Sequence, residues 1–330
     1  MSSVHPVTLL FADGASVRVE VPAGGRLIDA TQAAGLNLLL DCSNGQCGTC
    51  TAQLASGRVA MDDYDRSILS DEERSAGTVL PCVCRVQGPC ALEFPYDATE
   101  ALGEEPEPVT GSIESLASAG LEMMQLVIRV DQPLTFEPGQ YVHLQPVGQD
   151  AVRSYSMANE SGSDQLEFFI RLVPGGQFSH WLHTAQVGDA VKVGAPRGTF
   201  FLRQEDRPRL MIAGGSGLAP FLSMLQHARR QPAQPTTLIV GARSPAHMLA
   251  KDALEALERE MPGLTVRRVI EEGELPGAER GYPTDLIARL SLDPATRVYL
   301  CGPPPMVEAG RRAACAAGLN AADVLCERFI

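Results

Sequence analysis

The stretch Cys42-Ser43-Asn44-Gly45-Gln46-Cys47-Gly48-Thr49-Cys50, answered by Leu80-Pro81-Cys82, spaces four cysteines as Cys-x4-Cys-x2-Cys, with the fourth after 31 intervening residues. This is the ligand spacing of one class of [2Fe–2S] cluster. Three thiolates from a short loop and one from a distant segment suit two bridged irons at the edge of a small sheet. Gly45 and Gly48 have a physical role in such a loop, because only permissive residues let amide N–H groups turn toward sulfur at close range. Structural zinc sites of four cysteines usually repeat two short Cys pairs. The rival reading of these residues is therefore a four-cysteine metal-binding interaction protein.

Outward from this loop, Val7–Phe11 and Ser16–Val21 read as strands joined by Ala12-Asp13-Gly14-Ala15, with its Asp-Gly turn signal. Residues 26–34 read as a short helix stopped by Gly35, and 52–54 and 92–94 as further strands. Residues 1–98 thus form one domain. Residues 99–108 are acidic and proline-bearing, and are expected to be a linker that need not pack.

The texture then changes twice. Over 109–204 strand-like runs at 126–130, 140–144, 166–172 and 190–193 are separated by turns at barrel-like spacing. From 205 to 330, strands at 209–213, 237–240, 265–269 and 297–300 alternate with helical segments near 219–230, 248–260, 283–290 and 304–317. That rhythm predicts a doubly wound parallel sheet.

Composition sets the outer bounds. The chain has 330 residues, 45% hydrophobic and 20% charged, with a net charge of −13. Residues 1–98 hold six basic and twelve acidic side chains, whereas 205–330 hold fifteen of each. This polarity excludes nucleic acid as a natural partner, and it offers an acidic face that could steer a basic protein surface. No run approaches the length of a membrane span. Met1–His5 lacks an export profile, and nine cysteines with four committed to metal fit a reducing cytoplasm. Cys84, Cys90, Cys315 and Cys326 read as ordinary thiols.

Three further motifs carry chemistry. Arg153-Ser154-Tyr155-Ser156 follows a strand in the barrel region, and Gly175-Gly176-Gln177-Phe178-Ser179 precedes a helix expected to open near Trp181. Glycines at a helix start leave N–H groups for a phosphate, to which an arginine adds a bidentate pair. Gly214-Gly215-Ser216-Gly217-Leu218-Ala219-Pro220 follows a strand and opens a helix, in the manner of a dinucleotide turn. Cys301-Gly302-Pro303-Pro304-Pro305-Met306 follows another strand.

In this order the motifs resemble those of the ferredoxin–NADP reductase superfamily. With the cysteine-bearing domain in front, the chain is similar to the single-chain reductase components of benzoate- or anthranilate-type ring-hydroxylating dioxygenases. The resemblance implies a β-grasp ferredoxin domain, an antiparallel β-barrel for FAD and a parallel-sheet domain for NAD(P)H. It implies that Cys42, Cys47, Cys50 and Cys82 hold the cluster. Arg153 would bind the FAD pyrophosphate beside Ser154, Tyr155 would pack on the flavin, and Ser156 would hydrogen-bond its N5. Ile170 would belong to the flavin site, and Gly176, Gln177, Phe178 and Ser179 would line the pyrophosphate. Gly215, Ser216, Gly217 and Pro220, with Gly302 and Pro303, would meet the nucleotide. Cys301 would lie beside the nicotinamide, and Glu327 and Phe329 would flank the flavin ring.

Relatives that use NADH often carry an acid just beyond the second strand of the nucleotide domain. Here Gly241–His247 has none, and Arg243 with Ser244 could instead accept a 2′-phosphate. NADH is the expected donor, with NADPH possible. The expected acceptor is a Rieske-type terminal oxygenase. A diiron monooxygenase and a purely electron-carrying, non-catalytic role are the alternatives.

Overall fold

A computed structural model describes residues 3–66, 68–102 and 107–329. They form two compact units, which divide between Leu102 and Glu107.

In the first unit, strands β1 (Val4–Leu10) and β2 (Ser16–Pro22) pair antiparallel around the Asp13-Gly14 turn, where Gly14 takes φ +80°. Helix α1 (Leu27–Ala33) buries Leu27 and Ile28 against the sheet. The chain continues through β3 (Ala52–Ser56), β4 (Val59–Met61), helix α2 (Asp71–Ser75), β5 (Thr78–Val79), β6 (Cys84–Val86) and β7 (Cys90–Glu93). The main sheet has the order β2-β1-β7-β3-β5, with β1 and β7 parallel, and a β4–β6 ladder stands apart. One helix across a mixed sheet is the β-grasp arrangement.

The stretch 99–108 departs from a free linker over its first part. Ala98–Leu102 form helix α3, with Ala98 and Ala101 buried in the core of this unit and the Ala101 carbonyl accepting from Asn37 N–H at 2.8 Å. Two small apolar residues three apart suffice to seat one turn, despite the flanking acids. Residues 103–106, the rest of that expectation apart from 107–108, lie outside the described residues.

The second unit begins with six antiparallel strands, β8 (Val109–Gly120), β9 (Met123–Leu134), β10 (Tyr141–Pro146), β11 (Arg153–Ser156), β12 (Ser163–Arg171) and β13 (Ala190–Val193). Their order is β11-β10-β13-β8-β9-β12. The two ends of this order meet where Ala158 N–H, just past β11, donates to the Glu167 carbonyl of β12 at 2.8 Å. The barrel is filled by Ile113, Leu126, Ile128, Val142, Leu144, Phe168 and their neighbours. Helix α4 (Gln177–Leu182) caps it, starting directly after Gly176, four residues earlier than expected.

The remainder is a parallel sheet of β14 (Arg209–Gly214), β15 (Thr236–Ala242), β16 (Leu264–Ile270), β17 (Ala278–Arg280), β18 (Arg297–Gly302) and β19 (Val324–Arg328). The order β17-β16-β15-β14-β18-β19 reverses direction between β14 and β18. β14 is buried along its whole length, which explains its near-continuous apolar run. Helices α5 (Ala219–Ala228) and α6 (Lys251–Glu260) supply one apolar layer. Helix α7 (Pro304–Ala316) and Pro283–Arg289, a 3-10 rather than an α-helix, supply the other.

Candidate functional site

The cysteine loop gathers its four sulfurs pairwise. Cys42 lies within hydrogen-bonding reach of Cys47 and of Cys82, and Cys82 of Cys50. Backbone N–H groups also point at sulfur, with Gln46 N–H donating to Cys42 Sγ at 3.2 Å. These donors hold the Cys42 thiol well below its ordinary pKa, chiefly through Cys47 and then Cys82. Among the described residues no three His, Cys, Asp or Glu side chains converge on a single ion. Four thiols gathered in this way, with backbone N–H groups turned toward sulfur, are a donor set that fits a [2Fe–2S] cluster. Ile68, Leu69, Leu80 and Val83 enclose Cys50 and Cys82, while Cys42 and Cys47 stay partly exposed. Cys84 is fully buried in the separate sheet core, where desolvation pushes its thiol up. Only two residues from Cys82, it packs in that core and not with Cys50 and Cys82.

In the second unit the barrel and the parallel sheet share one centre. Ser156, at the end of β11, is buried and donates through Oγ to Glu327 Oε2 at 3.3 Å. Cys301, at the end of β18, donates through Sγ to the same oxygen at 3.8 Å. Cys301 and Glu327 are direct partners across the β18–β19 ladder. Burial, followed by the charge on Glu327, raises the Cys301 pKa well above its ordinary value, so the thiol keeps its proton as a donor. Phe329 packs against the core that contains Cys301, and its N–H donates to the Gly302 carbonyl at 2.9 Å.

This centre lies at the strand-order reversal, the place where open α/β sheets bind ligands. The two turns there interlock. A Cβ on Gly217 would lie 2.3 Å from the Cys301 carbonyl oxygen, and one on Gly214 would meet Met306 Sδ at 2.6 Å. Ser216 is half-buried beside them, Gly215 opens onto free space at φ +56°, and Pro220 is buried in the first turn of α5. Pro303 immediately precedes α7.

On the barrel side Arg153 is exposed and its Nη1 donates to the Val152 carbonyl at 2.7 Å, while Ser154 beside it is half-buried. The Tyr155 ring lies 5.1 Å from that of Phe178, and desolvation raises its phenol pKa. Ser179 Oγ accepts from Val173 N–H at 2.9 Å, fixing the loop that presents Gly176 and Gln177. An exposed guanidinium, a half-buried aromatic face and a glycine-led helix start form a donor set suited to FAD. Ile170 is fully enclosed in the barrel core, so only its backbone can face a ligand. Sequence reading missed Tyr141 and Gly198. A Cβ on Gly198 would lie 2.9 Å from the Tyr141 ring and 3.9 Å from Glu327 Oε1, so both wall the same centre. The only sequence signal was a glycine between barrel and sheet.

Comparison with known proteins agrees with this layout. Residues 10–87 match the 2Fe-2S iron-sulfur cluster binding domain, 114–202 the oxidoreductase FAD-binding domain and 211–312 the oxidoreductase NAD-binding domain. The toluate 1,2-dioxygenase electron transfer component of Pseudomonas putida is 34% identical, over 98% of this chain and 98% of its own. The chain belongs to the oxygenase electron-transfer components. In this family the reductase of propane 2-monooxygenase from Mycolicibacterium smegmatis is also 34% identical, over 94% of this chain and 92% of its own. A solved Amycolatopsis cytochrome P450 reductase superposes with TM-score 0.73 at 29% identity, covering 98% of both chains. These relatives serve different oxygenases by name, while the reductase architecture is shared. No helix among the described residues is long and apolar enough to cross a membrane.

Proposed function

We propose that this reductase draws on NADH and feeds a separate, Rieske-type aromatic-ring-hydroxylating dioxygenase in the cytoplasm. When bound, FAD accepts hydride from the nicotinamide and releases single electrons, which the [2Fe–2S] cluster relays. The division of labour assigns residues 1–98 to the cluster, 109–204 to FAD and 205–330 to the nucleotide. Cys42, Cys47, Cys50 and Cys82 would hold iron, with the apolar wall of Ile68, Leu69 and Leu80 excluding water from the inner pair. Arg153, Gly176, Gln177 and Ser179 would hold the FAD pyrophosphate, and Tyr155 its ring system. Ser156 and Cys301 keep protons directed at Glu327, which fixes the rotamers of all three side chains at the reversal point.

The observation that carries this reading is the meeting of a barrel hydroxyl, Ser156, with Cys301 and Glu327 of the parallel sheet. It is tested by adding NADH anaerobically to the purified, cofactor-loaded protein and following its visible spectrum. Bleaching of both flavin and iron–sulfur absorbance is expected. A colourless, zinc-containing protein would sink the proposal. A monooxygenase partner, of the diiron type, is the second reading, favoured by the identity to the propane 2-monooxygenase reductase. Reconstitution with each oxygenase class separates the two.

A further inference from the structure

The end of β15 is where a dinucleotide sheet commonly presents a carboxylate to the adenosine ribose. Gly241–His247 contains no acid, yet the fold brings one there from 120 residues earlier. Glu122, in the turn between β8 and β9, places Oε1 3.8 Å from Arg243 Nη2. This position is built rather than incidental. Leu121 N–H donates to the Ala246 carbonyl at 2.8 Å, and the Glu122 carbonyl accepts from Leu172 N–H at 2.8 Å. Glu122 itself sits in the left-handed region at φ +60°. Gly120, at φ +131°, passes so near that a Cβ would lie 2.9 Å from the Ala246 oxygen. The barrel hairpin is thus seated on the Pro245–His247 turn of the nucleotide sheet.

The two side chains suited to a phosphate are both engaged by His247. Arg243 Nη2 lies 2.6 Å from His247 Nε2, and Ser244 Oγ lies 2.8 Å from His247 Nδ1. A guanidinium only donates, so His247 accepts at Nε2 and, when neutral, donates from Nδ1 to Ser244. Glu271 and Glu272, both exposed, are tied to the same strand end through N–H bonds to the Ala242 and Arg243 carbonyls at 3.1 and 2.8 Å.

We propose that Glu122, carried on the barrel hairpin, is the coenzyme-selecting carboxylate of this protein, favouring the free ribose 2′-hydroxyl of NADH over the 2′-phosphate of NADPH. A carboxylate accepts a hydrogen bond from the hydroxyl. A phosphate brings about two negative charges to a strand end where the Glu122 carboxylate already faces Arg243. The inference rests on the nucleotide site of the preceding reading and adds its selectivity.

The test uses the full-length, cofactor-loaded protein. Affinities for 5′-AMP and for its 2′-phosphorylated form are measured by calorimetry, alongside kcat/KM for NADH and NADPH. The native protein should prefer the unphosphorylated member of each pair. Glu122→Gln keeps an acceptor but loses the charge, and should raise affinity for the 2′-phosphorylated ligand by about two- to fivefold at low salt, the scale of an exposed charge pair. Its affinity for 5′-AMP should stay close to native, and Glu122→Asp should restore the native ratio. The gain should shrink in about 1 M salt, where the Debye length is about 3 Å. An unchanged ratio in Glu122→Gln, or a native preference for NADPH, overturns the selecting role while leaving the nucleotide site standing. Failure of the native protein to bind any of these nucleotides overturns both.

Discussion

The cysteine loop and the nucleotide turn both depend on glycine, for different reasons. Gly45 adopts φ +76° within the run that turns backbone N–H groups toward the cysteine sulfurs, and a Cβ there would also lie 2.6 Å from Tyr64 Cβ. Gly217 has no such φ, but it has no room, because the Cys301 carbonyl lies where a side chain would begin. One site needs a left-handed backbone as well as the space, the other only the space between two turns some 85 residues apart pressed together. A conformational site is therefore readable from a short stretch of sequence, and a packing site only from the folded chain.

The largest expected effect tests the first half of that contrast. Cys82→Ala should abolish iron–sulfur absorbance while flavin reduction by NADH persists. Cys84→Ala, in the separate core, should keep the iron. If the iron is lost from Cys84→Ala and kept in Cys82→Ala, the ligand assignment fails.

The second half is probed by Gly217→Ala, which should lower stability by about 1–3 kcal/mol, the usual cost of overpacking against atoms that cannot yield. Gly215→Ala, facing open space at φ +56°, should cost about 1 kcal/mol through backbone strain alone. Equal losses in thermal melts of the two variants would erase the distinction between packing and conformation.

Phe329→Ala should then sharpen the picture of the nucleotide face. The ring is half-buried on the core beside Cys301. Its removal should raise nucleotide affinity by about two- to tenfold, the equivalent of a stacking contribution of roughly 0.5–1.5 kcal/mol. Titration with NADH measures this. Lower thermal stability with unchanged affinity would make Phe329 a core residue only.

The smallest effect concerns pH. In the second unit Arg297 holds Glu205, and Arg207 holds Asp323, below their ordinary carboxylate pKa values through direct hydrogen bonds. Depressed folded-state values mean that this stabilisation is complete above the unfolded pKa near 4 and is lost as pH falls through the folded values. The pairs are partly solvated, so about 1 kcal/mol is at stake. Melting of the second unit between pH 6 and roughly 3 should show the decline, and Arg297→Gln should flatten it.

Much of this architecture was legible in the sequence for physical reasons. Four cysteines at metal spacing, strand–glycine–helix turns and a shift from alternating to continuous apolar strands all carry local signals. Glu122 carried none, since a glutamate in a hairpin turn resembles any solvated loop residue until the barrel lies against the sheet. Tyr141 and Gly198 were missed for the same cause. The early start of α4 follows from Gly176, which serves as the N-cap one residue before Gln177. Helix α3 shows that an acidic, proline-bearing composition describes average hydration and not the two alanines that find a core.

Strand β19 is hydrogen-bonded to β18 on one side only, because it ends the sheet order. An edge strand is among the first elements to open in native-state fluctuations. Glu327 rides on it, so transient fraying would release Ser156 and Cys301 from their common acceptor while the central strands stay folded. The integrity of that hydrogen-bonded trio is thereby tied to one edge ladder, and amide exchange along Val324–Arg328 should run ahead of exchange in β14.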